Sequence, residues 1–290
     1  MTQQAAIIGL ADWLTTPAGR YVLDWERQAI DPVVADLFGF HALQLGLPQL
    51  QALRANRMPH RWVASDRGCA PAGPAASAAP PASGHAVPVA TGPGVDPTGA
   101  GDDAGWPGSH VCCEFDALPF DAGSLDLVVL PHALELARDP HLALAEVERV
   151  LRPEGRVVVL GFNPFSLWGL RQHAGRGWNR LRRPQEAGLF LPTDGEFIGY
   201  RRLRDWLRLL SFEVEVSRFG CYRPPLRSER WLARSAWTEP LGARWWPVFG
   251  AVYLVVAVKR VRGMRLVGLA RARRAPAPTS PAVAVQRHEP

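Results

Sequence analysis

Residues 114–161 read EFDALPFDAGSLDLVVLPHALELARDPHLALAEVERVLRPEGRVVVLG, and this stretch decides the fold of the chain. Its two short apolar runs, 125–130 and 156–161, are typical of strands that helices cover on both faces. Between them, Asp139 precedes Pro140, which is the pattern of a helix N-cap followed by a proline in the first turn. The stretch therefore predicts a strand, a helix and a second strand parallel to the first.

The predicted helix has one apolar face. Leu144, Val147 and Leu151 recur at helical spacing, so we expect this face to lie on the sheet. The turn residues at 152–155 end the helix and lead the chain into the second strand. The crossover between the two parallel strands should be right-handed.

Downstream of this unit, the pattern predicts two further strands and a helix. Residues 212–219 alternate as an edge strand does, whereas residues 252–258 (VYLVVAV) are apolar throughout and belong inside a sheet. An amphipathic helix is expected over 200–210, with its apolar face in the core. Residues 162–192 are rich in turn signals and predict a loop.

Upstream, capping and periodicity predict helices and weaker strands. Thr16 and Pro17 form a second N-cap and first-turn pair. The remaining elements are a short helix over 32–37, a strand and its exit turn over 40–47, a helix over 49–56 and a strand over 61–64.

Two segments have a composition that disfavours a packed core. In residues 68–110, 28 of the 43 residues are Gly, Ala or Pro, so the segment buries little apolar surface to offset its ordering entropy. We expect a disordered insertion there. The predicted organisation is a helical cap over 1–39, a domain over 40–262 that contains the insertion, and a basic and then disordered tail over 263–290.

Composition narrows the class of protein. The chain has 290 residues, 47% hydrophobic and 21% charged, which predicts a globular protein. Its four cysteines show neither zinc-type nor CxxC spacing, so we expect reduced thiols and no metal site. No signal peptide or membrane span is predicted, which indicates a cytoplasmic protein.

The charge is unevenly distributed along the chain. Residues 1–200 carry a net charge of −6, whereas residues 201–274 carry +12. A basic half can attract anionic partners. Arginines and tryptophans interleave between 230 and 246, which leaves nucleic-acid binding through the basic C-terminal half as one alternative.

The order of these parts resembles the middle third of class I S-adenosylmethionine-dependent methyltransferases of the type 11 methyltransferase-domain family. The stretches GFNPFSLWGLR and YLVVAVKR further resemble a proteobacterial group within that family. The resemblance implies an α/β, Rossmann-like fold with helices on both faces of a mostly parallel seven-stranded sheet. Its antiparallel last strand would lie between the fifth and sixth strands.

The resemblance also implies where the cofactor S-adenosylmethionine would lie. Asp116 matches the family residue whose carboxylate accepts a hydrogen bond from the adenine amino group. Ala117 matches the residue whose backbone N–H contacts a ring nitrogen of adenine. Gly46 matches a glycine of the turn after the first strand. Gln44, however, stands at that turn's acidic position, and proline and leucine replace two further glycines.

Further candidate residues follow from position in the family pattern. Asp66 is the candidate partner for the ribose hydroxyls, and Leu130 lies at the end of the fourth strand beside the methyl group. His132 is the candidate catalytic residue, since a histidine can orient or deprotonate an acceptor. Asn163 and Ser166 are candidate substrate-binding residues after the fifth strand.

The resemblance implies methyl transfer by in-line displacement to a small-molecule or macromolecular acceptor that the sequence does not identify. The altered glycine-rich turn leaves a second alternative, in which the fold has lost catalysis and serves as a binding module. A nicotinamide dehydrogenase is disfavoured because the first strand lacks GxGxxG.

Overall fold

A computed structural model describes residues 3–65, 109–181, 190–192 and 195–260. The strands are β1 (His41–Leu45), β2 (His60–Ser65), β3 (Ser109–Cys112), β4 (Leu125–Pro131), β5 (Leu151–Phe162), β6 (Phe212–Gly220) and β7 (Val252–Lys259). The helices are α1 (Gln3–Leu14), α2 (Pro17–Ala35), α3 (Ala133–Leu136), α4 (Pro140–Val150), α5 (Leu167–Leu181), α6 (Tyr200–Leu209), α7 (Glu229–Arg234) and α8 (Thr238–Trp245).

The seven strands form one sheet in the order β3-β2-β1-β4-β5-β7-β6. Strands β1 to β5 pair in parallel, and β7 pairs antiparallel with both β5 and β6. This confirms the predicted fold class, including the insertion of the last strand between the fifth and the sixth. The residues of β7 from Val252 to Val258 are all buried, as their uninterrupted apolar run requires.

The predicted edge strand β6 lies at the edge of the sheet, with a local irregularity. Its register against β7 shifts between Val214 and Val216, and the side chain of Val216 is 37% exposed. A bulge of this kind interrupts the inward and outward alternation that the sequence predicts.

Two layers of helices cover the faces of the sheet. On one face, α1 and α2 pack against alternate residues of the central strands, with Val22, Ile30 and Val34 fully buried. On the other face, α4 and α6 bury Leu144, Val147 and other apolar residues. The predicted caps at Thr16 and Asp139 are confirmed, since both side chains accept hydrogen bonds from backbone N–H groups of the first turn.

Three sequence predictions in this region are wrong. The short helix over 32–37 does not form, because α2 continues through Pro32 to Ala35 and thereby buries Ile30 and Val34 on the sheet. The helix over 49–56 is instead a 3₁₀ turn, Pro48–Leu50, that ends in Gln51 with a φ of 50°. The loop over 162–192 contains α5, whose start the turn residues mark.

The predicted insertion ends too late, since Ser109 and His110 belong to β3, a strand that the sequence pattern did not reveal. Residues 66–108 and the predicted tail over 263–290 lie outside the described residues. Disorder of both segments stays a prediction.

A buried group of three ionisable side chains joins α2 to the centre of the sheet. Nε2 of His132 lies 2.7 Å from Oε1 of Glu26, and its Nδ1 lies 2.8 Å from Oε2 of Glu135. The second oxygen of Glu135 accepts a hydrogen bond from the N–H of Phe162 at the end of β5. Burial by itself would lower the pKa of His132, but the two carboxylates outweigh it and raise that pKa to about 10. The imidazolium is therefore a stable charged bridge.

Replacement of His132 with Gln should destabilise the fold in a pH-dependent way. The change leaves two buried carboxylates without their cation, so we expect the free energy of unfolding to fall by about 3–5 kcal/mol near pH 6. A histidine titrates near pH 6.5 when unfolded. Because the pKa of His132 is higher in the folded protein, its contribution to the free energy of unfolding is complete below about pH 6.5 and is lost as the pH rises toward 10.

The difference between wild type and His132→Gln should thus narrow from pH 6.5 to pH 10 in urea unfolding experiments. His173→Gln is the matched control, because His173 is exposed on α5. A difference that did not vary with pH would contradict a charged histidine in this group.

Candidate functional site

The turns after β1 and β3 meet at the carboxyl edge of the sheet. Gly46 has a φ of 73°, and a Cβ added there would lie 3.4 Å from Cζ of Phe115. Phe115 is buried and comes directly before Asp116. The structure therefore brings together Gly46 and the Asp116–Ala117 turn, which the sequence places 70 residues apart. Ligands of open α/β sheets bind at this edge.

Helix α4 fixes the conformation of the Asp116 turn. The N–H of Leu118 donates to Oε1 of Glu146 over 2.9 Å, and Nη2 of Arg149 donates to the carbonyls of Leu118 and Phe120. Glu146 and Arg149 are paired at 2.7 Å, and the hydrogen bond from Arg149 lowers the pKa of Glu146. The backbone of the turn is thus held from one side by two charged side chains.

The side chains of Asp116 and Ala117 are exposed on this anchored turn. Asp116 accepts no hydrogen bond from any of the described residues, so its carboxylate can accept one from a ligand. The N–H of Ala117 donates to the carbonyl of Glu114 over 3.2 Å, a long bond within the turn itself. The geometry leaves one strong acceptor facing solvent.

Gln44 closes the turn after β1 from within. Its amide nitrogen donates to the carbonyls of Gly46 and Leu47 over 3.0 and 2.8 Å, and its amide oxygen accepts from the N–H of Ala52 over 2.8 Å. The side chain is fully buried. Two carbonyls and one N–H require two donors and one acceptor, which a primary amide supplies and a carboxylate does not.

This closed turn accounts for the departure from the glycine-rich pattern. Leu47 and Leu50 are buried in the core, and the N–H of Gly46 donates to the carbonyl of Ala64. The residues present therefore suit the adenine end of S-adenosylmethionine at Asp116. At the methionine end, the carbonyls of Gly46 and Leu47 and the N–H of Gly46 already have partners within the protein, so these groups are not free to bind a ligand.

The proposed roles of His132 and Leu130 do not agree with their surroundings. Both ring nitrogens of His132 are occupied by carboxylates and its side chain is buried, so neither nitrogen can deprotonate an acceptor. Leu130 is fully buried in the core below the edge of the sheet. The sequence placed these residues correctly at the end of β4, but the cover of α2 and the neighbouring Glu26 were not evident from it.

Asn163 and Ser166 build the loop after β5. The Asn163 amide donates to the carbonyls of Val248 and Gly250 and accepts from the N–H of Phe165. The Ser166 hydroxyl donates to the carbonyl of Asn163 and accepts from the N–H of Gly169 at the start of α5. Because these groups are buried and paired, they support the site and do not face a substrate.

Asp66, the candidate partner of the ribose hydroxyls, lies outside the described residues. Within the described ranges, no three side chains of His, Cys, Asp or Glu group as ligands for a metal ion. No helix of the described part is long and apolar enough to cross a membrane.

Sequence reasoning missed a large groove at the β5–β6 end of the same edge. The groove has a volume of about 970 Å³. One wall is formed near the start of α5 by Phe165, Leu167 and Leu170. The other wall is formed in and after α8 by Trp237, Leu241, Trp246 and Phe249. The groove opens where β5 and β6 end, so it shares the carboxyl edge with the Asp116 turn.

The lining of the groove is mostly apolar, and its basic side chains are His173 and Arg223. Volumes of this size accommodate small organic ligands. The sequence signal for the groove was the aromatic residues at 162–168 and 237–249. Composition alone does not distinguish aromatic residues that line a groove from core residues or from rings that stack on nucleic-acid bases.

Replacement of Gln44 with Glu tests the closed turn. A carboxylate would face two carbonyl oxygens, so we expect the free energy of unfolding to fall by about 1–3 kcal/mol. The arrangement favours the protonated acid, and the folded variant therefore binds more protons than the unfolded one. Its stability should fall as the pH rises.

Urea unfolding near pH 5 and near pH 8 measures both effects, with the larger loss expected near pH 8. Gln49→Glu, in the same turn but exposed, is the control and should change little. Equal stability of Gln44→Glu and wild type would show that the turn can rearrange around an acid.

Comparisons with known proteins agree with this architecture. A family model described as "Methyltransferase domain" matches residues 91–159. The protein YafS of Escherichia coli (strain K12) is 40% identical over 103 residues, which are 35% of this chain and 39% of YafS. A malonyl-[acyl-carrier protein] O-methyltransferase of Halorhodospira halophila is 43% identical over 61 residues, 21% of each protein. The chain thus matches less than half the length of these curated relatives.

Solved structures of similar shape have low sequence identity. A SAM-dependent methyltransferase from Thermotoga maritima is 15% identical, with a TM-score of 0.49 and coverage of 84% of this chain and 91% of that one. A SAM-dependent methyltransferase from Archaeoglobus fulgidus is also 15% identical, with a TM-score of 0.47 and coverage of 83% and 94%. The strand order is that of the class I methyltransferase fold, and within it residues 91–159 match the methyltransferase-domain model.

Proposed function

We propose that the protein is an S-adenosylmethionine-dependent methyltransferase whose acceptor carries an apolar chain. The observation that carries the first part is the exposed Asp116 on a turn that Glu146 and Arg149 hold at the carboxyl edge of the sheet. The second part is supported by the apolar groove at the same edge.

Asp116 and Ala117 are the proposed adenine contacts. An exposed carboxylate on a fixed turn can accept a hydrogen bond from the exocyclic amino group without reorganisation of the backbone. Gly46 lies next to Phe115 and is the proposed neighbour of the adenosine. Asp66, outside the described residues, is the proposed partner of the ribose hydroxyls.

The bound cofactor would supply a methyl group on a sulfonium, which makes the reaction an in-line displacement. The chain then has to align the acceptor and exclude water from the reacting atoms. The fully buried loop residues Asn163 and Ser166 hold the start of α5 in place, and α5 forms one wall of the groove. These residues are proposed to position the acceptor through the backbone and not by direct contact.

The groove favours an acceptor with an apolar body and a polar or anionic end. Trp168 at its floor is 1% exposed, and Tyr222 and Leu241 extend the apolar lining. Arg223 and His173 offer the polar contacts. Three relatives that match over about a fifth of the chain are malonyl-[acyl-carrier protein] O-methyltransferases, which is compatible with an acyl-type acceptor here.

Asp116→Ala tests the adenine contact. The loss of one charge-assisted hydrogen bond should weaken binding of S-adenosylhomocysteine by about 1–3 kcal/mol in isothermal titration. Asp121→Ala is the matched control, because Asp121 is also exposed and lies shortly after the same turn. An unchanged dissociation constant for Asp116→Ala would remove this assignment.

The same titration on wild type separates the two candidate functions. Binding of S-adenosylhomocysteine together with methyl transfer supports the proposal. The closed turn around Gln44 favours, as the second candidate, a binding module without methyl transfer. An absence of heat at high micromolar ligand would support that candidate.

Leu241→Asp tests the groove. A charge in its apolar lining should weaken binding of a dansylated undecanoic acid probe by about 1–2 kcal/mol, since part of the buried apolar area is lost. Fluorescence titration measures this change. Leu209→Asp is the control, because Leu209 is 81% exposed on α6 and does not line the groove. Equal effects of both variants would exclude the groove as the binding site of the chain.

A further inference from the structure

The region around α7 and α8 exposes an unusual number of large apolar side chains. Trp231, Trp237, Trp245 and Trp246 are 58–66% exposed. Leu241, Val248 and Phe249 are exposed beside them. We define these seven residues, with Arg230, Arg234 and Arg244, as the tryptophan surface.

Across the groove, the start of α5 continues the same apolar character. Phe165, Leu167 and Leu170 are each more than half exposed and line the groove together with Trp237 and Trp246. Two separate elements of the chain therefore present apolar side chains around one opening. Exposed apolar areas of this kind are uncommon on monomeric soluble proteins and mark an interaction site.

The charges of the tryptophan surface are positive. Arg230, Arg234 and Arg244 are exposed, and none of the three forms an ion pair within the described part of the chain. Arg234 lies over the ring of Trp231, 5.4 Å from its centroid.

The acidic residue of α8 does not offset these charges at the surface. Glu239 accepts hydrogen bonds from the hydroxyl of Tyr21 and from the N–H groups of Cys221 and Tyr222, so its carboxylate faces inward. Glu229 stands alone as the exposed acid of the two helices. The surface is thus apolar and cationic.

We propose that the tryptophan surface binds the face of an anionic lipid bilayer. Tryptophan combines an apolar ring with an N–H donor and suits the boundary between acyl chains and headgroups. Arginines beside it attract anionic headgroups while their stems remain in apolar surroundings. Helices with this composition lie in the interface plane of membranes.

The aliphatic part of the surface favours lipid over nucleic acid. Base stacking uses aromatic rings and guanidinium groups, whereas Leu241, Val248, Leu167 and Leu170 provide neither. Their exposure is explained by partial insertion into a bilayer, which buries aliphatic and aromatic groups alike. On a bilayer, the groove would open toward the lipid phase.

Flotation with vesicles tests this proposal independently of methyl transfer. Wild type should float with vesicles of phosphatidylcholine and phosphatidylglycerol, much less with phosphatidylcholine alone, and less at raised salt. Neutralisation of Arg230, Arg234 and Arg244 to Gln should lower the partition coefficient about 100-fold, about fivefold for each charge. The control neutralises three exposed arginines elsewhere, Arg57, Arg138 and Arg208, and should retain binding.

A second pair of variants tests insertion. The double variant Trp231→Ser, Trp245→Ser should reduce flotation and the quenching of tryptophan fluorescence by brominated lipids. Because Trp231 and Trp245 do not line the groove, this variant should still bind the probe there. Phe38→Ser is the control, because Phe38 is 82% exposed just before β1. Thermal unfolding by circular dichroism confirms that the variants are folded.

The outcomes are distinct. Flotation that requires both the arginines and the tryptophans supports the proposal. No flotation of wild type, or equal flotation of the tryptophan variant, would overturn it. Retention on single-stranded DNA without flotation would overturn it in favour of nucleic-acid binding.

Discussion

The interior position of β7 in the sheet determines how the neighbouring strands and loops are arranged. Its uniformly apolar residues need cover on both faces and a hydrogen-bonded neighbour on each side, which only an interior place in the sheet provides. Its antiparallel insertion displaces β6 to the edge and makes β5 and β6 end at the same side. The loops that follow these strands form the groove, so the apolar pocket follows from where the last strand lies.

The two turns at the carboxyl edge of the sheet are held in different ways. The Asp116 turn is held by charged side chains of α4 and keeps its acceptor toward solvent. The turn after β1 is held from within by the Gln44 amide, which satisfies two carbonyls and one N–H. The first arrangement leaves a carboxylate exposed, and the second packs the turn against the core.

The N-terminal helices have more than a covering role. Glu26 of α2 reaches the end of β4 and forms part of the buried group with His132 and Glu135. This contact connects the helical layer to the carboxyl ends of β4 and β5.

Local sequence patterns predicted six of the seven strands, the helix between β4 and β5 and the position of the Asp116 turn, because apolar periodicity and capping act over a few neighbouring residues. They did not predict α5, β3 or the unbroken α2, since burial by distant segments overrides local turn signals there. The burial of His132, the pairing of Asn163 and the groove were decided by tertiary structure alone. Each depends on groups far apart in the chain, such as Glu26 and Val248, whose approach no local pattern encodes.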